Sequence, residues 1–246
     1  MISPTIFRDA KQLHESAAEH WIRCCSEAIT RHGSFHVALS GGTTPKALFQ
    51  LLASNPYVTT IPWDKIHFYF GDERFVPKEH NDSNFKMASD AMLSKIPCNP
   101  QQIYAVDTSL VDAATAAAAY EQLLKDKLPK DPQGVQHFDL VLLGLGPDGH
   151  TASLFPDTAA LTENNKTCTA VYVEKFKSWR ITITFPVINL ANNILLMSEG
   201  AGKADIIKEL LINKKDTLTY PVQRIEPQGN MLWYIDKAAA EKLTNL

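Results

Sequence analysis

The sequence predicts an α/β protein with a mostly parallel sheet covered by helices on both faces. Short apolar runs alternate with amphipathic, helix-period segments along most of the 246 residues. That alternation is the mark of parallel strands joined by crossover helices. "DLVLLGLG" is apolar nearly throughout, as a strand buried on both sides should be. Eight of the eleven glycines (Gly41, Gly42, Gly71, Gly144, Gly146, Gly149, Gly200 and Gly202) directly follow predicted strands. In open α/β sheets ligands bind beyond the carboxyl ends of the strands, so these turns nominate one sheet edge as the site.

Taken in order, "DAKQLHESAAEHWIRCCSEAITRHG" reads as a helix. Leu13, Ala17, Trp21, Cys25 and Ile29 form its apolar face, and Gly33 stops it. "FHVALS" is a strand, "TPKALFQLLAS" a helix and "IHFYF" a strand. "DSNFKMASDAMLSKI" is a helix capped by Asp82 or Ser83, "QIYAV" a short strand and "DAATAAAAYEQLLKDKL" an alanine-rich helix. After "FDLVLLGLG" the signals loosen until three strands, "AVYVE", "RITITF" and "NILLMSEG". "GKADIIKELLI" is then a helix, "MLWYI" a last strand and "DKAAAEKL" a closing helix. No repeat or Pro/Gly/Ser-rich linker divides the chain, so residues 1–246 are expected to form a single domain.

Composition narrows the function. A net charge of −3 argues against a basic nucleic-acid footprint. No apolar run approaches membrane-spanning length and no signal peptide is evident, so a cytoplasmic protein is expected. None of Cys24, Cys25, Cys98 and Cys168 forms a C-x-x-C pair, which argues against a zinc knuckle or disulfide framework. His14-Glu15 begins an H-E-x-x-H match, but Ala18 stands where the second histidine would be.

Four loops carry chemistry. In "ALSGGTTPKALF", Thr44 is the expected helix cap and Pro45 the expected first helical residue. Ser40, Gly41, Gly42 and Thr43 then surround free N–H groups at a positive helix end, an anion site. In "FYFGDERFVP", Arg74 can clamp a carboxylate or phosphate, while Asp72 can accept from sugar hydroxyls or act as a base. Glu73 suits an internal ion pair equally well. "GLGPDGHTASLFP" matches G-x-G-x-x-G, but Pro147 removes an N–H from the turn and no long helix follows, which disfavours a dinucleotide site. The glycines instead present Asp148 and His150, an imidazole being suited to proton transfer near neutral pH. Finally, Arg180 of "WRITITFP" and Lys203 of "SEGAGKADII" are candidate phosphate contacts.

Together "LSGGTTP", "GDERFVP", "GLGPDGHTASLFP" and "RITITFP" with "SEGAGK" resemble the 6-phosphogluconolactonase family, of the superfamily that includes glucosamine-6-phosphate deaminase. The resemblance implies a three-layer α/β/α Rossmann-like fold with no metal and no organic cofactor. It also implies hydrolysis of 6-phosphoglucono-δ-lactone to 6-phosphogluconate in the oxidative pentose phosphate pathway. His150 matches the family's proposed catalytic histidine, Asp148, Arg74 and the Ser40–Gly42 loop match other site positions, and Arg180 and Lys203 match the phosphate-binding pair. Deaminases continue the D-G-H turn as H-I-A-F-N-E-P; here Phe155 stands at the position of their relay glutamate. A phenylalanine cannot carry a proton, which favours the lactonase; the deaminase and a non-catalytic sugar-phosphate sensor are the alternatives. The expected partner is a small phosphorylated lactone, without nucleic acid or membrane, on a monomer or weak homodimer.

Overall fold

The computed structural model describes residues 3–131, 133–213 and 219–243. Ten strands are present among them: β1 Thr5–Phe7, β2 Phe35–Leu39, β3 Ile66–Phe70, β4 Asp72–Arg74, β5 Ile103–Tyr104, β6 Leu140–Gly144, β7 Cys168–Val173, β8 Ser178–Ile183, β9 Asn193–Ser198 and β10 Asn230–Asp236. The α-helices are α1 Ala10–His32, α2 Thr43–Leu52, α3 Tyr57–Thr60, α4 Asn84–Ala88, α5 Ala113–Lys127, α6 Phe185–Asn189 and α7 Ala204–Lys208. Local chemistry sets several boundaries. The Asp9 carboxylate accepts from Gln12 N–H at the start of α1, and Gly33 ends that helix at φ 90°. Asp112 and Ser83 cap α5 and α4 in the same way.

Seven strands form one sheet in the order β1-β10-β9-β6-β2-β3-β5. Every adjacent pair in it is parallel. From β2 the chain steps outward to β3 and β5, then returns to β6 on the other side of β2 and continues to β9 and β10. The direction of winding therefore reverses between β2 and β6, and a crevice opens there.

Side chains alternate between the two faces, and each face has its own core. Phe35, Val37, Leu39, Phe68 and Leu142 pack with Trp21 of α1 and Phe49 of α2. Ala38, Tyr69, Val141, Leu143 and Trp233 pack with Tyr120 and Leu124 of α5. Full burial of a side chain of this size contributes about 1.5–3 kcal/mol.

Three strands leave the main sheet. Strands β4, β8 and β7 form a separate antiparallel sheet. "AVYVE" and "RITITF" are strands as expected, but they pair here and not in the parallel sheet. Gly71 joins the two sheets: its N–H donates to Leu39 C=O at 2.8 Å and its C=O accepts from Ile183 N–H at 2.9 Å. The expected closing helix at "DKAAAEKL" is instead a run of turns over residues 237–242, begun by Ala239 N–H donating to the Asp236 carboxylate at 2.8 Å. Its backbone bonds mix two spacings, Ala240 N–H to Asp236 C=O at 3.0 Å and Leu243 N–H to Ala240 C=O at 2.9 Å, so no regular helix forms.

At the amino ends of β2 and β3, the rings of His36 and His67 stack with centroids 4.4 Å apart. His36 is buried, and its Nδ1 lies 3.0 Å from the Tyr69 hydroxyl. Burial first, then the nearby His67, His32 and His137, push the His36 imidazole down to about 3. Burial and Arg23 push His20 down to about 4. Both rings stay neutral in the folded protein while the unfolded chain takes up protons below about 6.5. Stability is therefore complete above that pH and falls as the pH drops toward 4. The expected loss between pH 7 and pH 5 is roughly 2 kcal/mol per imidazole. Urea denaturation at the two pH values measures it, and His36→Phe should remove about half of the drop.

Candidate active site

A cavity of about 240 Å³ sits at the β2/β6 switch point. The loops after β2, β6 and β9 form its floor, and β4 and β8 of the small sheet form one wall. Ser40, Gly41, Gly42, Thr43, Asp72, Arg74, His150, Arg180 and Lys203 all line it. Asp148 does not line it; it stands behind His150.

His150 is held on three sides. Its Nδ1 contacts Asp148 Oδ1. Its C=O accepts from Gly146 N–H at 2.8 Å, which closes the turn. Its ring stacks on Phe155 with centroids 3.9 Å apart. A Cβ on Gly146 would overlap the imidazole, so this glycine is required for close approach. The other oxygen of Asp148 accepts from Lys175 Nζ at 3.2 Å. Burial would raise the Asp148 carboxyl, but the hydrogen bond and charge of His150, with help from Lys175, hold it well below the usual range. An ionised carboxylate only accepts, so His150 carries its hydrogen on Nδ1 and leaves the Nε2 lone pair free. Nε2 makes no hydrogen bond among the described residues.

The "DER" triplet is a strand, and its alternation explains its three charges. Asp72 and Arg74 point into the cavity while Glu73 points away. Glu73 is 2% exposed. Its carboxylate accepts from the N–H groups of Arg74, Asn84 and Phe85 at 2.7–2.8 Å and from the Ser83 hydroxyl at 3.1 Å. It anchors the start of α4 to β4, and no cation pairs with it among the described residues. Asp72 accepts from Ser153 Oγ at 2.6 Å and from Asn84 Nδ2 at 3.1 Å.

Arg74 and Arg180 are direct cross-strand partners. Like charges in that position repel. Arg74 Nη1 donates to Asp82 C=O at 2.6 Å, and Arg180 Nε donates to Ser178 Oγ at 3.2 Å. Burial first, and then the charge of Arg74, lower the Arg180 guanidinium. The Arg74 Nε is buried without a hydrogen-bond partner. Two guanidinium groups facing one cavity make an anion-seeking wall.

Helix α2 closes the opposite side. Gly42, at φ 102°, is its N-cap, and no side chain caps the first turn. The expected cap therefore moves: Thr44 is the second helical residue and Pro45 the third. Proline fits there because none of the first N–H groups has a partner within the helix. Lys203 lies in the turn after β9 and lines the same space. Burial lowers its ammonium while the charge of Asp148 opposes the shift.

Asn84, which bridges to β4, and Glu199, which stands beside α2, escaped the sequence reading. Phe155, named there as a break in the deaminase proton relay, also stacks on His150. Glu199 directly precedes Gly200 in "SEGAGK", so adjacency to a glycine turn was its one available signal. The expected dinucleotide-free reading of the G-x-G-x-x-G segment is consistent with its shape: residues 145–158 form turns, with Thr151 bridging to Leu154.

A parallel sheet with an anion-seeking crevice at its switch point defines the class: a Rossmann-like α/β fold with a site for an anionic ligand. Residues 8–233 match the family model described as glucosamine-6-phosphate isomerases/6-phosphogluconolactonase. A 6-phosphogluconolactonase of Nostoc sp. is 41% identical over 217 residues, 88% of each chain. A probable chloroplastic 6-phosphogluconolactonase of Oryza sativa is 40% identical over 250 residues, covering 98% of this chain and 76% of the relative. The solved 6-phosphogluconolactonase of Trypanosoma brucei superposes with a TM-score of 0.85 at 30% identity, over 99% of this chain and all of that one. The chain belongs to the glucosamine-6-phosphate isomerase/6-phosphogluconolactonase family. No helix among the described residues is long and apolar enough to cross a membrane.

The Asp148 contact dictates the tautomer of His150. Asp148→Asn should move hydrogen toward Nε2, and Gly146→Ala should displace the ring with the fold intact. Long-range ¹⁵N–¹H NMR of the imidazole reads both changes. An unaltered His150 signal in Asp148→Asn would show that the carboxylate does not set the tautomer.

Proposed function

We propose that the chain is a 6-phosphogluconolactonase, hydrolysing 6-phosphoglucono-δ-lactone to 6-phosphogluconate in the oxidative pentose phosphate pathway. The observation that carries this reading is an imidazole with Nδ1 engaged by a carboxylate and Nε2 free, set in a cavity walled by Arg74, Arg180 and Lys203. The names of the Nostoc and Trypanosoma relatives support the same substrate.

The substrate phosphate docks on the open N–H groups of α2 near Gly42 and Thr43, with Lys203 and Arg180 supplying charge. The Ser40 hydroxyl and Gly41 border that end of the cavity. Asp72, already oriented by Ser153 and Asn84, accepts from a ring hydroxyl. His150 Nε2 takes a proton from the attacking water as the new C–O bond forms at the lactone carbonyl. Arg74 faces the charge that develops on the carbonyl oxygen. The ring C–O bond then breaks, and the imidazolium returns its proton to the departing ring oxygen. Asp148 steadies the imidazolium through Nδ1. Both its oxygens are occupied, by His150 and Lys175, which favours an orienting role over binding substrate hydroxyls. No step requires a metal or an organic cofactor.

Phe155 separates this reading from a deaminase. It packs flat on His150, where a ring-opening relay would need a second proton carrier. In the same reading the enzyme acts in the cytoplasm as a monomer or weak homodimer. Its four cysteines are free thiols, as a reducing compartment favours.

The deciding assay follows hydrolysis of fresh lactone, corrected for the spontaneous rate. His150→Ala should lower kcat by roughly 10²–10⁴-fold, the usual contribution of a general base. Arg180→Met and Lys203→Met should raise KM more than they lower kcat. Full activity in His150→Ala would remove the assigned base, and release of ammonia from glucosamine 6-phosphate would favour the deaminase instead.

A further inference from the structure

An acidic side chain stands in the wall of this anion-seeking cavity. Glu199 follows β9 directly and lines the cavity with Thr43, Thr44 and Lys203. Its Oε2 lies 3.0 Å from His14 Nε2, which projects from α1. Both side chains are largely shielded, with 19% and 12% exposure. Burial would raise the Glu199 carboxyl, but His14 and the Thr44 hydroxyl together lower it, so it is ionised near neutral pH. Thr44 is the second residue of α2, the helix whose first turn carries no side-chain cap. Glu199 therefore holds a negative charge beside the same positive helix end that an incoming anion would use.

The contrast with the other carboxylate of the wall is informative. Each oxygen of Asp72 takes a donor from the pocket floor, Ser153 or Asn84. Glu199 instead meets His14, which lies outside the cavity lining, at 3.0 Å. Simple structural filling of that position needs no charge, and a neutral residue would leave the anion site stronger.

We propose that Glu199 sets the affinity of the cavity for phosphate by weakening anion binding at its α2 end, with the His14 imidazole against the outer oxygen of the carboxylate. A phosphate group bound there meets Lys203 and the helix N–H groups on one side and a fixed carboxylate on the other. The opposition limits affinity for any phosphate, the product's included, and speeds its release. This rests on the lactonase reading only in taking phosphate as the natural anion.

The test is calorimetric titration of the whole protein with inorganic phosphate at low ionic strength, in parallel with lactonase kinetics. Glu199→Gln should bind phosphate roughly three- to tenfold more tightly, as removal of one charge a few ångströms away implies. Its KM for the lactone should fall. His14→Gln removes the imidazole contact but keeps the carboxylate, and should bind phosphate no more tightly than the parent protein. Tighter binding in the Glu199 variant without tighter binding in the His14 variant is the signature, because a merely structural pair would change binding alike in both. The gap should narrow in high salt. Glu199→Thr serves if the glutamine variant folds poorly. Equal or weaker binding in the neutral variants overturns the proposal, as does failure of every form to bind phosphate. Phosphate binding with the expected shift but without lactone turnover would sink the lactonase reading and leave the role of Glu199 standing.

Discussion

All seven strands of the central sheet point the same way, and the site depends on that constraint. Parallel strands deliver every outgoing loop to one edge. Loops far apart in sequence, after β2, β6 and β9, thereby converge on a single crevice. Reversal of winding between β2 and β6 keeps helices from filling that crevice. The His150 imidazole, the open first turn of α2 and Lys203 are neighbours for this reason alone. None of them is close in sequence to the others.

A second sheet completes what the first cannot. The main sheet supplies turns and helix ends but no rigid cationic wall. Strand β4 supplies it through alternation: Asp72 and Arg74 face the cavity while Glu73 is buried against the start of α4. Burial raises the Glu73 carboxyl, although hydrogen bonds from Asn84, Phe85 and Arg74 oppose the shift. An exposed pair of arginines would splay apart in water. Pairing in the β4–β8 ladder holds Arg74 and Arg180 together despite their repulsion, so part of the cost of gathering positive charge is met during folding.

Much of this was legible in the sequence, and the exceptions have physical causes. The buried strands β2, β3, β6 and β9 announce themselves as apolar runs, and α1 and α5 through their caps and periodicity. The antiparallel sheet was hidden because a strand pattern does not name its partner. Strand β4 was hidden because three consecutive charges do not look like a strand at all. The closing segment looked helical from its alanines, but tertiary position left it as turns. At the site, glycines and isolated charges at strand ends led to His150, Arg74, Arg180 and Lys203. Glu199 was passed over because only its place before Gly200 marked it. The shift of the α2 cap from Thr44 to Gly42 shows the limit of local rules: threonine and glycine both suit a cap, and backbone angles chose between them.

Gly71 has an architectural consequence. One residue is all that separates β3 from β4, so the chain steps from the large sheet to the small one there without a loop. Both arginines ride on the small sheet, as does the hairpin tip that brings Lys175 to Asp148 and Phe176 to Phe155. The small sheet shares its core with α5 and the main sheet through Val171 and Ile181, so the distance between arginines and imidazole is fixed by how two sheets pack and not by the course of any one loop.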